Sequence, residues 1–187
     1  MLLIAQPKSA STSLMWSLSE ILKVPHKNGQ NRKSGDTDCE GYAQLQKYHG
    51  TMVRRSKEYL KKWIEADIIY KEHILPTDEH LEYIKNIGAP VVVLLREPVE
   101  CIKSYRRVLS VLPDKNIDYD EMRNELELFR EKYLSLTDDD NYLIITYDEI
   151  VNDFTNAIKK IIVHYKKTVP DNVEKYILAK RNYTWSK

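Results

Sequence analysis

Cysteine is scarce in this 187-residue chain: only Cys39 and Cys101 occur, and no CxxC pair. That argues against a disulfide framework or a thiolate zinc site and points to a reducing compartment. Five glycines and seven prolines are too few for a collagen-like or low-complexity chain. No apolar stretch approaches the roughly 18 residues of a membrane span; Val91 to Leu95 has the length of a buried strand instead. An excess of one charge is missing too, with 29 basic against 28 acidic residues. Overall charge therefore gives no support for nucleic-acid or membrane binding. Leu2-Leu3-Ile4 follows the first residue directly, with no basic segment and no signal-length apolar region. The expected location is the cytoplasm.

What is present is an ordinary globular balance, 42% hydrophobic and 30% charged. The length suits one domain over residues 1–187. Residues 1–110 carry 17 basic and 13 acidic groups, a modest +4 that suits a small anionic ligand. The pattern predicts strands at Leu2 to Gln6, Ile68 to Tyr70, Val91 to Leu95 and Leu143 to Thr146. Between them, helical spacing appears at Leu14, Leu18, Ile21 and Leu22, at 78–87, from Pro98 onward, at Tyr119 to Tyr133 and at Phe154 to Tyr165. A last short helix is expected from Pro170, and Asp138 to Asp140 reads as a solvated turn. Residues 26–41 lack periodicity and read as a loop; 42–66 read as mostly helical with a break at Gly50. Strands alternating with helices predict a three-layer α/β fold, a central parallel sheet of about four to five strands flanked by helices.

Three strand ends carry candidate chemistry. The first strand runs into Gln6-Pro7-Lys8-Ser9-Ala10-Ser11-Thr12-Ser13 and then a helix. A helix N-terminus offers free N–H groups, Lys8 adds charge, and the hydroxyls add donors, a set suited to phosphate. The Walker A pattern GxxxxGK[ST] is absent, and a capped helix with a surface lysine is the alternative. Arg96 directly follows the Val91–Leu95 strand, with Ser104 eight residues later. An arginine there can grip a terminal phosphate with two parallel hydrogen bonds, or pair with Glu97 or Glu100. After the second strand stands Tyr70-Lys71-Glu72-His73. His73 is a candidate general base at neutral pH, with Lys71 on the same side of an extended chain.

Together these segments resemble the sulfotransferases that use 3′-phosphoadenosine-5′-phosphosulfate (PAPS), most closely their cytosolic branch. That family's 5′-phosphosulfate loop reads approximately Pro-Lys-Ser-Gly-Thr-Thr, against Pro7-Lys8-Ser9-Ala10-Ser11-Thr12 here. Its 3′-phosphate motif, an arginine at a strand end and a serine eight residues on, matches Arg96 and Ser104. Its Lys-Thr-His-Leu-Pro segment is similar to Lys71-Glu72-His73-Ile74-Leu75-Pro76, with one residue inserted after the histidine. Leu143 to Glu149 resembles the fourth-strand segment that ends in a Tyr-Glu-Asp-like turn. The departures are Ala10 in place of glycine, Ser13 in place of an adenine-stacking tryptophan, a short chain, and no clear Arg-Lys-Gly motif near Lys180-Arg181 or in the tail, 181–187.

The resemblance implies a P-loop nucleotide-hydrolase-like fold and sulfuryl transfer from PAPS, with 3′,5′-adenosine bisphosphate (PAP) as product and no metal. It implies that Pro7 to Ser13 hold the 5′ end, that Arg96 and Ser104 hold the 3′-phosphate, that Lys8 and Lys71 stabilise developing charge, and that His73 takes the acceptor's proton. Glu72 stays open as the alternative base. The acceptor is expected to be a small molecule or carbohydrate hydroxyl or amine, received over 26–66 and 105–118. His26, His49, Tyr105, Arg106 and Arg107 are its candidate neighbours. Neither nucleic acid nor membrane is expected as a partner. The rival readings are a catalytically silent nucleotide-binding module and a P-loop nucleotide kinase.

Overall fold

A computed structural model of the chain describes residues 1–28, 55–109, 118–136, 139–171 and 173–174. Five strands form one parallel sheet in the order β2-β3-β1-β4-β5. They are β1 (Leu2–Ala5), β2 (His26–Asn28), β3 (Ile69–Glu72), β4 (Val91–Leu95) and β5 (Tyr142–Thr146). The helices are α1 (Ser11–Leu22), α2 (Lys57–Glu65), α3 (Asp78–Ile87), α4 (Pro98–Leu109), α5 (Tyr119–Leu134), α6 (Tyr147–Asn152) and α7 (Phe154–His164). The expected α/β architecture is the observed one, with helices on both faces. Among the described residues no helix is long and apolar enough to cross a membrane.

Alternation along the central strands builds the two cores. Leu3, Ala5, Val92 and Leu94 pack with α1 and α7, through Leu14, Leu18, Ile158, Ile161 and Ile162. Leu2, Ile4, Val91, Val93 and Leu95 pack on the other face with Tyr59, Leu60, Ile84, Phe129 and Tyr133 of α2, α3 and α5. Every residue of β1 and β4 is buried, which is why they read as continuous apolar runs. A third cluster, Cys101, Ile102, Tyr105, Met122 and Leu126, fastens α4 to α5. Local signals mark most helix ends. Thr77 caps α3, Gly88 closes it in the left-handed region at φ 63°, and Pro98 opens α4.

The structure corrects three expectations. His26–Asn28, read as loop, is an edge strand paired in parallel with β3. Its three polar residues carry no apolar alternation, so only the partner strand defines it. The second strand runs on through Lys71 and Glu72, both fully buried, where apolar content alone ended it at Tyr70. Residues 147–152 form a separate short helix, α6, started by a reciprocal capping box of Thr146 and Glu149. The helical reading of 42–66 is met over α2, whereas Arg55, Ser56 and Ala66 are not helical; 42–54 lie outside the described residues, as do Asp138 and 175–187. The turn that is described lies one residue on from the expected Asp138–Asp140: the Tyr142 amide donates to the Asp139 carbonyl at 2.8 Å and the Asn141 amide to Oδ1 of the partly buried Asp139 at 3.0 Å.

Ile161 sits at the centre of the first core with no exposure. Ile161→Ala is expected to lower unfolding free energy by about 2–5 kcal/mol, the range for emptying a buried aliphatic site. Denaturant titration checks this; a loss below 1 kcal/mol, on the order of a surface change, would place α7 outside the cooperative core.

Candidate functional site

The site lies at the carboxyl ends of β3, β1 and β4, where open α/β sheets form their ligand crevice. Leaving β1, the chain turns sharply: Lys8 and Ala10 both adopt φ 64°, a left-handed conformation unusual for residues with a Cβ. Ala10 thus accepts the strain that glycine would avoid. Ser9 is buried and its Oγ donates to the Gln6 carbonyl at 2.6 Å. Pro7 and Ser11 are buried, and Thr12 and Ser13 half-buried. No side chain caps α1, whose first intrahelical bond runs from the Leu14 amide to the Ala10 carbonyl at 3.2 Å. The amides of Ser11, Thr12 and Ser13 therefore stand at an uncapped helix start with its partial positive charge.

Lys8 is half-buried, and its Nζ lies 4.9 Å from the centroid of the Tyr105 ring. Burial pulls its ammonium below the ordinary lysine range. Lys71 is 1% exposed. Burial, offset in part by Glu72 and deepened by Lys8, brings its pKa down to about 8. Its Nζ lies 3.1 Å from Nε2 of His73. The other ring nitrogen of His73, Nδ1, meets the Ala5 carbonyl oxygen. A carbonyl only accepts, so Nδ1 carries the proton and Nε2 presents its lone pair to Lys71. Burial, then the Lys71 charge, holds His73 well below the usual imidazole range. Lys8, Lys71 and His73 are thus one cluster, with the histidine in the neutral form a base requires.

Glu72 points to the other face of β3, as alternation demands. Its Oε2 accepts from Nε of Arg55 at 3.1 Å, from Nη2 of the same guanidinium, and from the Tyr70 hydroxyl at 2.8 Å. Its Oε1 accepts from the His73 amide at 3.2 Å. The carboxylate has no exposure. It is committed to a buried ion pair, which explains how a charged residue occupies a buried strand.

Arg96 joins the ends of β1 and β4. Its Nη1 donates to the Lys8 carbonyl at 2.8 Å, and its guanidinium lies 3.9 Å from the centroid of the Tyr147 ring. Glu97 pairs instead with Arg130, while Glu100 is 4.0 Å from Arg96. Nε of Arg96 is buried with no hydrogen-bond partner among the described residues. A cleft of about 250 Å³ adjoins it, bordered by Arg130, Tyr147 and Asp148. Ser104 is half-buried on α4, beside Tyr105.

Of the candidate acceptor neighbours, Tyr105 is buried beneath Lys8, and Arg106 is exposed over Tyr119. His26 is exposed on edge strand β2, and His49 lies outside the described residues. Arg107 is exposed near the end of α4. Sequence reading missed two contributors. Gln6 and Arg55 each give a signal only in retrospect: a polar residue ending an apolar strand, and one arginine among many.

The chain has the fold of the sulfotransferases. Mouse sulfotransferase SULT7A1, complexed with PAP, superposes with a TM-score of 0.63 at 16% identity over 96% of this chain. The sulfotransferase of Alicyclobacillus acidocaldarius gives 0.55 at 13% over 95%. A retinol dehydratase in complex with retinol and PAP gives 0.54 at 11% over 97%. The chain spans 62% of the mouse protein's length, 89% of the bacterial one and 64% of the retinol dehydratase. No protein-family model and no curated protein matches the sequence.

A buried lysine titrating near pH 8 leaves a sign in stability. Unfolded, Lys71 holds its proton to the ordinary value near 10.5. Between these values the unfolded chain binds more protons, so this residue's contribution rises with pH there and is lost as pH falls through about 8. Stability of the wild type relative to Lys71→Met is expected to climb from pH 8 toward 10.5 and to be flat below 7. Chemical denaturation of both proteins across that range checks it; a constant difference would place the Lys71 ammonium in contact with solvent.

At Ala10, left-handed backbone costs roughly 1–2 kcal/mol against glycine, while glycine loses about 0.4–1 kcal/mol through the unfolded state. Ala10→Gly is expected to stabilise by on the order of 0.5–1 kcal/mol, read as a higher thermal midpoint. A lower midpoint would show that the turn does not strain Ala10.

Proposed function

We propose that this protein is a sulfotransferase that moves a sulfuryl group from PAPS to a hydroxyl or amine of a small-molecule or carbohydrate acceptor. The observation that carries the reading is the cluster of Lys8, Lys71 and neutral His73, hydrogen-bonded through the Lys8 carbonyl to Arg96, within a sulfotransferase fold. The two protein folds crystallised with PAP support the choice of donor.

In this reading the uncapped start of α1, with Ser9, Ser11, Thr12 and Ser13, takes the 5′-phosphosulfate. Lys8 sits against the bridging oxygen and stabilises the charge that builds on the leaving phosphate. Arg96 and Ser104 take the 3′-phosphate, and the adjoining cleft gives the nucleoside room. The acceptor oxygen or nitrogen attacks sulfur in line, and the bond from sulfur to the bridging oxygen breaks. The acceptor's proton passes to Nε2 of His73, and PAP leaves. Lys71 moves from that nitrogen to the sulfonate oxygens when the acceptor enters. Positioning and electrostatics supply the rate, without a metal in the proposed step. A buried Cys101, its thiol pushed up to about 12 by burial, is suited to a structural role in a reducing compartment such as the cytoplasm.

An acceptor screen with labelled PAPS tests the activity, and thermal shift with PAP against ATP plus Mg²⁺ tests the donor. Stabilisation by PAP without transfer to any acceptor would favour a silent binding module; stabilisation by ATP–Mg²⁺ alone would favour a kinase. With an acceptor identified, His73→Ala is expected to keep PAP affinity and to lose about 10²-fold or more in kcat, the scale of general-base catalysis. Glu72→Gln, which weakens the Arg55 pair and one further hydrogen bond but leaves the His73 ring in place, should change kcat much less. Full turnover in the His73 variant, or a dead Glu72 variant that still folds and binds PAP, would move the base elsewhere.

A further inference from the structure

Gln6 has no solvent exposure and ends β1 between the two proposed phosphate subsites. Its amide donates to the Leu94 carbonyl at 2.9 Å, continuing the β1–β4 ladder. Its side-chain Oε1 accepts from the Arg96 amide at 2.8 Å, and its Nε2 donates to the Leu126 carbonyl of α5 at 3.3 Å. Its own carbonyl accepts from Ser9 Oγ at 2.6 Å. Arg96 in turn donates to the Lys8 carbonyl at 2.8 Å. These bonds close a circuit, Gln6 to Arg96 to Lys8 and back through Ser9, around the left-handed residue Lys8, one step before the second such residue, Ala10.

We infer that Gln6 is a positioning residue that fixes the distance between the loop receiving the 5′ end of the donor and the arginine receiving its 3′ end. The inference rests on the donor reading above. A side chain that only filled space would need no acceptor aimed at the Arg96 amide and no donor aimed at α5. With both made, the strained loop and the β4 terminus move as one body, and a ligand that spans them meets a preset gap. Each end alone makes no such demand, because one subsite can adjust without the other. Arg96→Ala cannot isolate this effect, since it removes a proposed phosphate ligand together with the bond to Lys8.

The test is calorimetric binding of three probes, PAP, adenosine 5′-phosphate and adenosine 3′-phosphate, to wild type and Gln6 variants. Gln6→Met keeps the shape and loses both side-chain bonds. Gln6→Asn stays polar but is one methylene too short to reach Arg96. Either is expected to weaken PAP about tenfold and each monophosphate less than about threefold, the scale on which coupled networks respond to mutation. Equal weakening of all three probes, or no weakening, overturns the positioning role while leaving the donor reading intact. A wild type that binds PAP no more tightly than either monophosphate overturns the donor reading and this inference with it. If neither the Met nor the Asn variant folds, amide exchange in the wild type decides. Inorganic pyrophosphate, which carries no nucleoside to fill the cleft beside Arg96, should slow exchange at the Arg96 N–H; an unchanged rate overturns the inference.

Discussion

The site depends on positive charge placed where water has been largely removed. Lys71 is almost wholly buried at the end of β3, Lys8 is half-buried at the end of β1, and His73 is buried 3.1 Å from the Lys71 ammonium. Burial lowers the pKa of both lysines, and burial together with the Lys71 charge keeps the histidine neutral. A crevice with this balance favours a multiply charged anion, whose arrival lets both lysines keep their protons. The same arrangement gives a lone pair at Nε2 of His73. The anion binding and base chemistry proposed for this site thus share one electrostatic origin.

The supporting structure keeps that charge from collapsing the site. Glu72 is the carboxylate next to Lys71 in sequence, yet alternation turns it to the opposite face, where Arg55 and Tyr70 claim it. Had it faced Lys71, a direct ion pair would have neutralised the crevice. Its remaining oxygen instead accepts from the His73 amide and helps set where the chain leaves β3. On the other side, Arg96 and Gln6 hold the loop in a backbone conformation that its residue types disfavour. Strain of this kind persists only where surrounding bonds over-determine it, and it commonly accompanies a binding role.

The sheet was largely legible from sequence because β1 and β4 are buried on both faces and read as uninterrupted apolar runs. The helices showed their apolar spacing, and Pro98 and Gly88 marked ends for reasons local to the backbone. Edge strand β2 was not legible: its residues are polar, and pairing with β3 supplies what defines it. The continuation of β3 through Lys71 and Glu72 was hidden for a related reason, since charged residues are buried there only because distant partners receive them.

Sequence by itself determined which chemistry was on offer. It set lysine, serine and threonine between a strand and a helix, an arginine directly after a buried strand, and a histidine two residues after a lysine. These follow from chain order, strand periodicity and helix polarity, all local properties. Only the tertiary structure decided which of these groups meet. It joined Arg96 to the Lys8 carbonyl across 88 positions and Gln6 to α5 across 120, and it withdrew Glu72 into a pair with Arg55. It also fixed the protonation of His73, because burial and a neighbouring ammonium are properties of assembled space that no local stretch of residues contains.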